Sequence, residues 1–313
     1  MRAQEPFGQG EASRRASRTR MRHVVISPVR NEAAHLEDAI AAVVAQTVRP
    51  REWILVNDGS TDETAAIAER WASHHDWTIV VHRPDRGMRS QGTGVIEAFY
   101  EGYAAVKTLD WQYLVKLDGD IIVPPTYFED CLAEFEGDPS LGIGGGTVDH
   151  LDQGQKRTEG HPQFHVRGGT KIYRRECWDA LGGLLKSPGW DTVDELKAQF
   201  LGWRTRTFRQ LRVMHRRHTG AADGSWRNAV KNGTANYVSA YHPLFMLAKC
   251  LKRLSSRPYG AQALGLLPDS GSRPRRDQAA ILHGCREGSV VRVRAQSLDR
   301  RSSSTRRSRS SGH

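Results

Sequence analysis

Between residues 23 and 117 the chain repeats one pattern: a short apolar run, a polar turn, then a segment with helical spacing. His23–Ile26, Trp53–Val56, Trp77–Val81 and Tyr113–Leu117 read as strands, and Glu32–Gln46, Asp62–Ser73 and Gly94–Lys107 as the helices between them. A strand buried on both faces reads as a continuous apolar run, and strands separated by helices are joined by parallel crossovers. The predicted fold is therefore α/β, an open, mainly parallel sheet flanked by helices. Thr61 or Asp62 is the expected cap of the second helix.

The last strand of that series stops on two carboxylates, Asp118 and Asp120, with Gly119 between them. Open α/β sheets gather ligands at the carboxyl ends of their strands. Hard divalent cations take oxygen ligands, so paired acids at that edge point to a metal, and the metal to a diphosphate. Asp-x-Asp is short enough to arise by chance, and its other reading is a turn that caps a strand. Two more polar clusters follow the first two strands, Ser27–Glu32 and Val56–Asp62. Each alone reads equally well as a turn and helix cap. Together they converge on one crevice.

Charge excludes one class. The net charge is +11, but residues 1–22 carry +4 and residues 271–313 carry +8, which leaves −1 for residues 23–270. A nucleic-acid surface needs basic charge on one face of the fold, so such contact is expected only incidentally, through the tail. No apolar run approaches the ~18 residues of a membrane span, the longest being Ala39–Ala45. The basic start is not followed by an apolar segment, so no secretory signal is read there. Cys131, Cys177, Cys250 and Cys285 show no Cys-x-x-Cys spacing, which fits a reducing, cytoplasmic setting. Neither Gly-x-Gly-x-x-Gly nor a Walker lysine is present, which counts against hydride transfer and nucleotide hydrolysis.

Residues 1–21 form a basic leader, expected to be disordered. Residues 22–150 are the first half of one domain and residues 151–265 its second half. Within these, Tyr127–Phe135 reads as a helix, Leu141–Val148 as a glycine-spaced strand and residues 151–167 as a loop. A strand at Gly168–Tyr173, helices at Arg175–Leu181 and Asp191–Leu201, and a strand at Arg204–Val213 follow. Ala229–Leu254 is helical, and residues 241–254 combine an apolar face with Lys249, Lys252 and Arg253. That is the pattern of peripheral membrane contact or of a capping core helix. Residues 266–313 are an Arg/Ser-rich tail, expected to be disordered, and read either as genuine or as the product of a shifted frame.

Pro28–Glu32, Val56–Asp62 and Leu117–Asp120, in that order, resemble the nucleotide-sugar-binding half of a family-2 glycosyltransferase of the GT-A fold, of the kind involved in polysaccharide biosynthesis. The resemblance covers roughly residues 22–260, with 22–150 as the nucleotide-sugar half and 151–265 as the acceptor and catalytic half. It implies that Asp58 accepts from uracil or another base, with Pro28, Arg30 and Glu32 lining that site and Arg86 toward phosphate. Asp118 is implied near the ribose and the metal, and Asp120 as a ligand of Mn²⁺ or Mg²⁺. His215, in preference to His218, would complete the metal site, and Arg216 and Arg217 would meet diphosphate charge. Gly168-Gly169 would face donor sugar and acceptor. The family's catalytic base lies in an acidic motif at the start of a helix that ends in Gly-Trp, here Gly202-Trp203, which puts Asp191 on the base position. Trp190 stands where an acid is usual, so Asp194 remains an alternative.

The implied activity is metal-dependent, inverting transfer from a nucleotide-diphosphate sugar, a UDP-sugar first, to a saccharide or lipid-linked acceptor. The implied setting is surface or extracellular polysaccharide synthesis, in the cytoplasm or at the inner face of the cell membrane. The alternatives are a sugar nucleotidyltransferase and a non-enzymatic nucleic-acid binder acting through the tail.

Overall fold

The computed structural model of the protein describes residues 21–87, 93–152, 154–158 and 160–216. Residues 1–20 of the expected leader, the expected helix at 229–254 with its expected membrane contact, the Arg/Ser tail, Arg217 and His218 lie outside them, whereas Met21, counted with the leader, is buried in the core.

The expected alternation is present. Strands β1 (His23–Val29), β2 (Glu52–Asp58), β3 (Thr78–Arg83) and β4 (Tyr113–Leu117) alternate with helices α1 (Ala33–Val44), α2 (Thr64–Ala72) and α3 (Thr93–Ala104). Short β5 (Ile121–Ile122), helix α4 (Tyr127–Gly137), β6 (Leu141–Asp152), β7 (Gln155–Thr158) and β8 (Thr170–Arg174) follow. Helices α5 (Arg175–Leu181) and α6 (Trp190–Phe200) and strand β9 (Arg204–His215) complete the described fold.

All these strands form one sheet, in the order β3-β2-β1-β4-β8-β6-β9-β5, with β7 paired to β6. Pairing is parallel from β3 to β4, as the crossovers dictate. It turns antiparallel where β8 enters between β4 and β6, and parallel again between β6 and β9. The second half of the sheet is therefore mixed.

Side chains alternate across the sheet, so each apolar strand feeds two cores. Val25, Leu55 and Val115 pack with Leu36, Ile40, Ile67, Phe128 and Phe135 under α1, α2 and α4. Val24, Ile26, Ile54, Val56 and Leu114 pack with Ile96, Phe99, Trp178 and Trp190 under α3, α5 and α6. The result is three layers, with polar strand ends left free at one edge.

Two expectations are corrected. Residues 151–167 are not wholly loop, because β6 runs on to Asp152 and turns back as β7. The β7 arm of that hairpin is exposed, and charge pairing holds it: buried Asp149 takes Arg212, Lys156 and Thr158. Apolar periodicity cannot report such a strand. The cap of α2 also differs, since Glu63 occupies the cap position. Asp62 instead accepts from the N–H groups of Thr64 (3.0 Å) and Ala33 (3.2 Å), tying the starts of two helices together.

Candidate active site

The loops after β1 and β2 form one unit. Asn31 takes a positive φ of 52°, a conformation Asn tolerates better than most residues. Its side-chain oxygen accepts from Thr61 N–H (2.9 Å), and its own N–H donates to Ser60 Oγ (3.0 Å). Pro28 pairs in register with Val56, and buried Glu32 donates its N–H to Thr64 Oγ1 at 2.8 Å.

Asp58 is buried at the end of β2, and two guanidinium groups hold its carboxylate: Arg83 at 2.5 Å and Arg86 at 2.7 Å. Arg86 also meets Glu97, and Arg30 donates both to the Asp58 carbonyl and to Asp85 (2.7 Å). The pair with Arg30 holds the Asp85 carboxyl below its ordinary range. Sequence reasoning missed Arg83, although it lies opposite Asp58 in the β2–β3 register. Nothing in the local sequence TIVVHR sets Arg83 apart from an ordinary strand-end residue. Gly59 lets this turn close: its φ is +66°, and a Cβ there would lie 2.5 Å from the Asp85 Cα.

The two acids after β4 part company. Asp118 turns its Oδ1 to the buried Lys116 ammonium, and its N–H donates to the Gly169 carbonyl at 2.9 Å. A Cβ on Gly169 would stand 2.9 Å from Asp118 Oδ2, so only glycine fits without displacing that oxygen. Buried Asp120 has its Oδ2 3.1 Å from His215 Nε2, and its carbonyl accepts from Arg216 N–H at 3.0 Å. The antiparallel β5–β9 pair, with Ile121 opposite His215, creates that contact. The Arg216 guanidinium pairs with Asp38 at 2.9 Å, not with the crevice.

Among the described residues no group of three or more His, Cys, Asp or Glu is arranged to hold a metal. What the fold offers is one carboxylate and one imidazole side by side. That donor set fits Mg²⁺ or Mn²⁺ in a phosphate site, where protein supplies one or two ligands and phosphate and water the rest.

Asp191 lies half-buried in the first turn of α6. A Cβ on Gly168 would stand 2.9 Å from the Trp190 ring and 3.3 Å from Asp191 Cβ. Adjacent glycines thus touch the helix that carries Asp191 on one side and Asp118 on the other.

Asp194, by contrast, is buried and fully engaged. Lys171 Nζ donates to its oxygens at 2.7 and 2.9 Å, Tyr173 O–H at 2.6 Å and Glu195 N–H at 2.7 Å. Glu195 accepts from Val166 N–H (2.7 Å) and Lys171 (2.9 Å) and meets His165 Nδ1 (2.9 Å). Burial pushes Asp194 up to about 6, against the pull of Lys171 and with the help of Glu195. Burial works to lower the Lys171 ammonium, but the charges of Asp194, Glu195 and Asp191 outweigh it and raise its value. Asp194 thus holds its proton more tightly chiefly because it is buried, and Lys171 because three acids surround it.

A model of the family described as Glycosyl transferase family 2 matches residues 24–184. The chain belongs to that family. Membership of that family favours the transferase reading of the strand-end acids over the nucleotidyltransferase alternative. The poly-beta-1,6-N-acetyl-D-glucosamine synthase of Staphylococcus epidermidis is 28% identical over 112 residues, which are 36% of this chain and 25% of that protein. Its counterpart in Staphylococcus aureus (strain COL) is 30% identical over 112 residues, with the same coverage. The match thus spans about a quarter of these relatives' length.

Among solved structures, the mannosyltransferase PcManGT from Pyrobaculum calidifontis, in complex with GDP-Man and Mn²⁺, superposes with a TM-score of 0.55 at 17% identity, covering 89% of this chain and 87% of that one. GalNAc-T7 with UDP, GalNAc and Mn²⁺ gives 0.56 at 16% identity, covering 77% and 52%. At such identities the likeness shows the fold, and it is the GT-A fold that this family 2 sequence led us to expect.

Proposed function

We propose that this family 2 glycosyltransferase is metal-dependent and inverting, and moves a sugar from a nucleotide-diphosphate donor to a saccharide or lipid-linked acceptor in polysaccharide synthesis. The observation that carries this reading is the Asp120–His215 contact at the strand ends, with Asp118 beside it and Asp191 across the Gly168-Gly169 strap. Asp120 and His215 are the residues that would hold Mn²⁺ or Mg²⁺, which when bound stabilises the departing diphosphate as a Lewis acid.

The chain's own groups do the rest. Asp58, held by Arg83 and Arg86, presents carboxylate lone pairs to the N–H groups of the base, with Pro28, Arg30 and Glu32 around it. Asp118, oriented by Lys116, takes the ribose side of the donor. Asp191 accepts the acceptor hydroxyl's proton as that oxygen attacks the anomeric carbon. The bond to the diphosphate breaks, its electron pair leaves with the phosphate oxygen, and attack from the opposite face inverts the centre. Asp194, walled in by Lys171 and Tyr173, supports this helix and does not touch substrate.

A UDP-sugar is the first donor to test, and the named product of the curated relatives makes an N-acetylglucosamine polymer the first acceptor class. The buried free thiols of Cys131 and Cys177 suit a cytoplasmic site of action.

The deciding experiment is calorimetric titration of UDP, then GDP, with Mn²⁺ and with chelator, into wild type and Asp120→Ala. Metal-dependent binding that the variant loses supports the reading. Absence of binding by either nucleotide to folded protein overturns it.

A further inference from the structure

Lys116 on β4 and Lys171 on β8 face each other directly across an antiparallel pair. Opposed residues leave the sheet on the same face, and both are buried, at 2% and 0% exposure. Lysine is almost never fully buried unless paired. Here each ammonium serves a different part of the site. Lys116 binds Asp118. Lys171 binds Asp194, Glu195 and the backbone carbonyl of Asp191. One side chain touches both: the Trp190 ring centroid lies 5.3 Å from Lys116 Nζ and 5.5 Å from Lys171 Nζ. Both distances fall within the ~6 Å reach of a cation–π contact. Trp190 is itself buried and immediately precedes Asp191. Its ring offsets the repulsion of two like charges brought together in the interior.

We propose that Lys116, Trp190 and Lys171 are positioning residues that act as one unit, setting Asp118, and so the donor, at a fixed place relative to Asp191. The inference rests on the roles proposed above for those two acids. Lys116 anchors the donor-side acid, Lys171 anchors the first turn of the base-bearing helix, and Trp190 spaces the two. A merely structural role would lower the folded fraction and every readout alike. A positioning role separates them: Lys116 acts on nucleotide affinity, Lys171 on turnover, Trp190 on both.

The test uses the full chain as wild type, Lys116→Met, Lys116→Arg, Lys171→Met, Trp190→Leu and Trp190→Phe. Nucleotide affinity is measured by calorimetry with UDP and GDP in Mn²⁺. Turnover is measured as UDP release from UDP-N-acetylglucosamine and GDP release from GDP-mannose, with water as acceptor and saturating donor. Outer-sphere partners typically carry 10–100-fold effects, so Lys116→Met is expected to weaken nucleotide binding about tenfold and to change turnover less than about threefold. Lys171→Met is expected to show the converse. Trp190→Phe, which keeps a π face, stays within about twofold of wild type in both, whereas Trp190→Leu loses both.

Equal losses in affinity and turnover for the two lysine variants, or no loss in either, overturn the proposal. If the Met or Leu variants do not fold, Lys116→Arg decides: a change in nucleotide affinity without a change in turnover supports the unit, and no change overturns it. No nucleotide binding by wild type brings down the functional reading and this inference with it. Wild-type binding, with turnover lost in Asp191→Asn and no split among the lysine variants, overturns this inference alone.

Discussion

Asp120 and His215 stand 95 positions apart in the chain and 3.1 Å apart in the fold, carboxylate oxygen to imidazole nitrogen. Two residues of β5 make that meeting possible, because their pairing with β9 delivers the end of the last described strand to the end of β4. In the proposed scheme the nucleotide diphosphate would complete the shell of a cation held by this pair, so cation affinity would depend on it.

Removing Asp120 is therefore expected to cost more than removing His215. Asp120→Ala loses a charge and abolishes the metal-dependent part of UDP or GDP binding. His215→Ala weakens it by about tenfold. Titrations with Mn²⁺ and with chelator check both; equal binding with and without metal in wild type would contradict the pair's assignment.

Asp191 and Asp194, both on α6, are expected to divide between chemistry and stability. Asp191→Asn is expected to keep nucleotide binding and to lower sugar transfer by about 100-fold or more, the scale of general-base catalysis. Asp194→Asn breaks a buried ion pair and is expected to cost about 3 kcal/mol of stability. Urea midpoints and transfer rates, measured together, separate the two outcomes.

The Asp58 carboxylate depends on Arg83, which meets no substrate in the proposed scheme. Arg83→Met leaves Asp58 with Arg86 alone and is expected to weaken nucleotide binding by about tenfold. The turn itself depends on Gly59. Its positive φ and the 2.5 Å approach to the Asp85 Cα act together in Gly59→Ala, so a stability loss of about 2 kcal/mol is expected. Calorimetry and urea unfolding provide the respective checks.

His23 sets a pH dependence away from the site. Burial lowers its pKa from 6.5 to about 4, only partly offset by the Met21 carbonyl. Between those values the unfolded chain binds a proton that the fold refuses, so stability rises with pH through this window. The contribution is full above pH 6.5, and up to about 3 kcal/mol of it is lost as pH falls toward 4. Asp194, with its raised value, titrates in the opposite sense nearby. The measure is therefore the difference between wild type and His23→Asn in urea midpoint at pH 7 and pH 5, which should shrink at the lower pH.

Much of this was legible in the chain. Four apolar runs and the polar residues that end them specify a buried parallel sheet with Asp58, Asp118 and Asp120 at its edge, because strand burial and turn chemistry are local properties. Family resemblance supplied His215 and Asp191, whose neighbours lie far away in sequence. The β6–β7 hairpin was not legible, since ion pairs around Asp149 hold it and carry no periodic signal. Arg83, Lys116 and Lys171 looked like ordinary strand residues for the same reason.

By itself the sequence determined the layers, the crossovers and the edge where acids collect, since burial of both strand faces leaves little choice. The tertiary structure alone decided which acid each cation holds. That β8 enters beside β4 sets Lys171 opposite Lys116, and the Trp190 ring beside both. Such partnerships follow from strand order, and strand order is an outcome of packing the whole sheet.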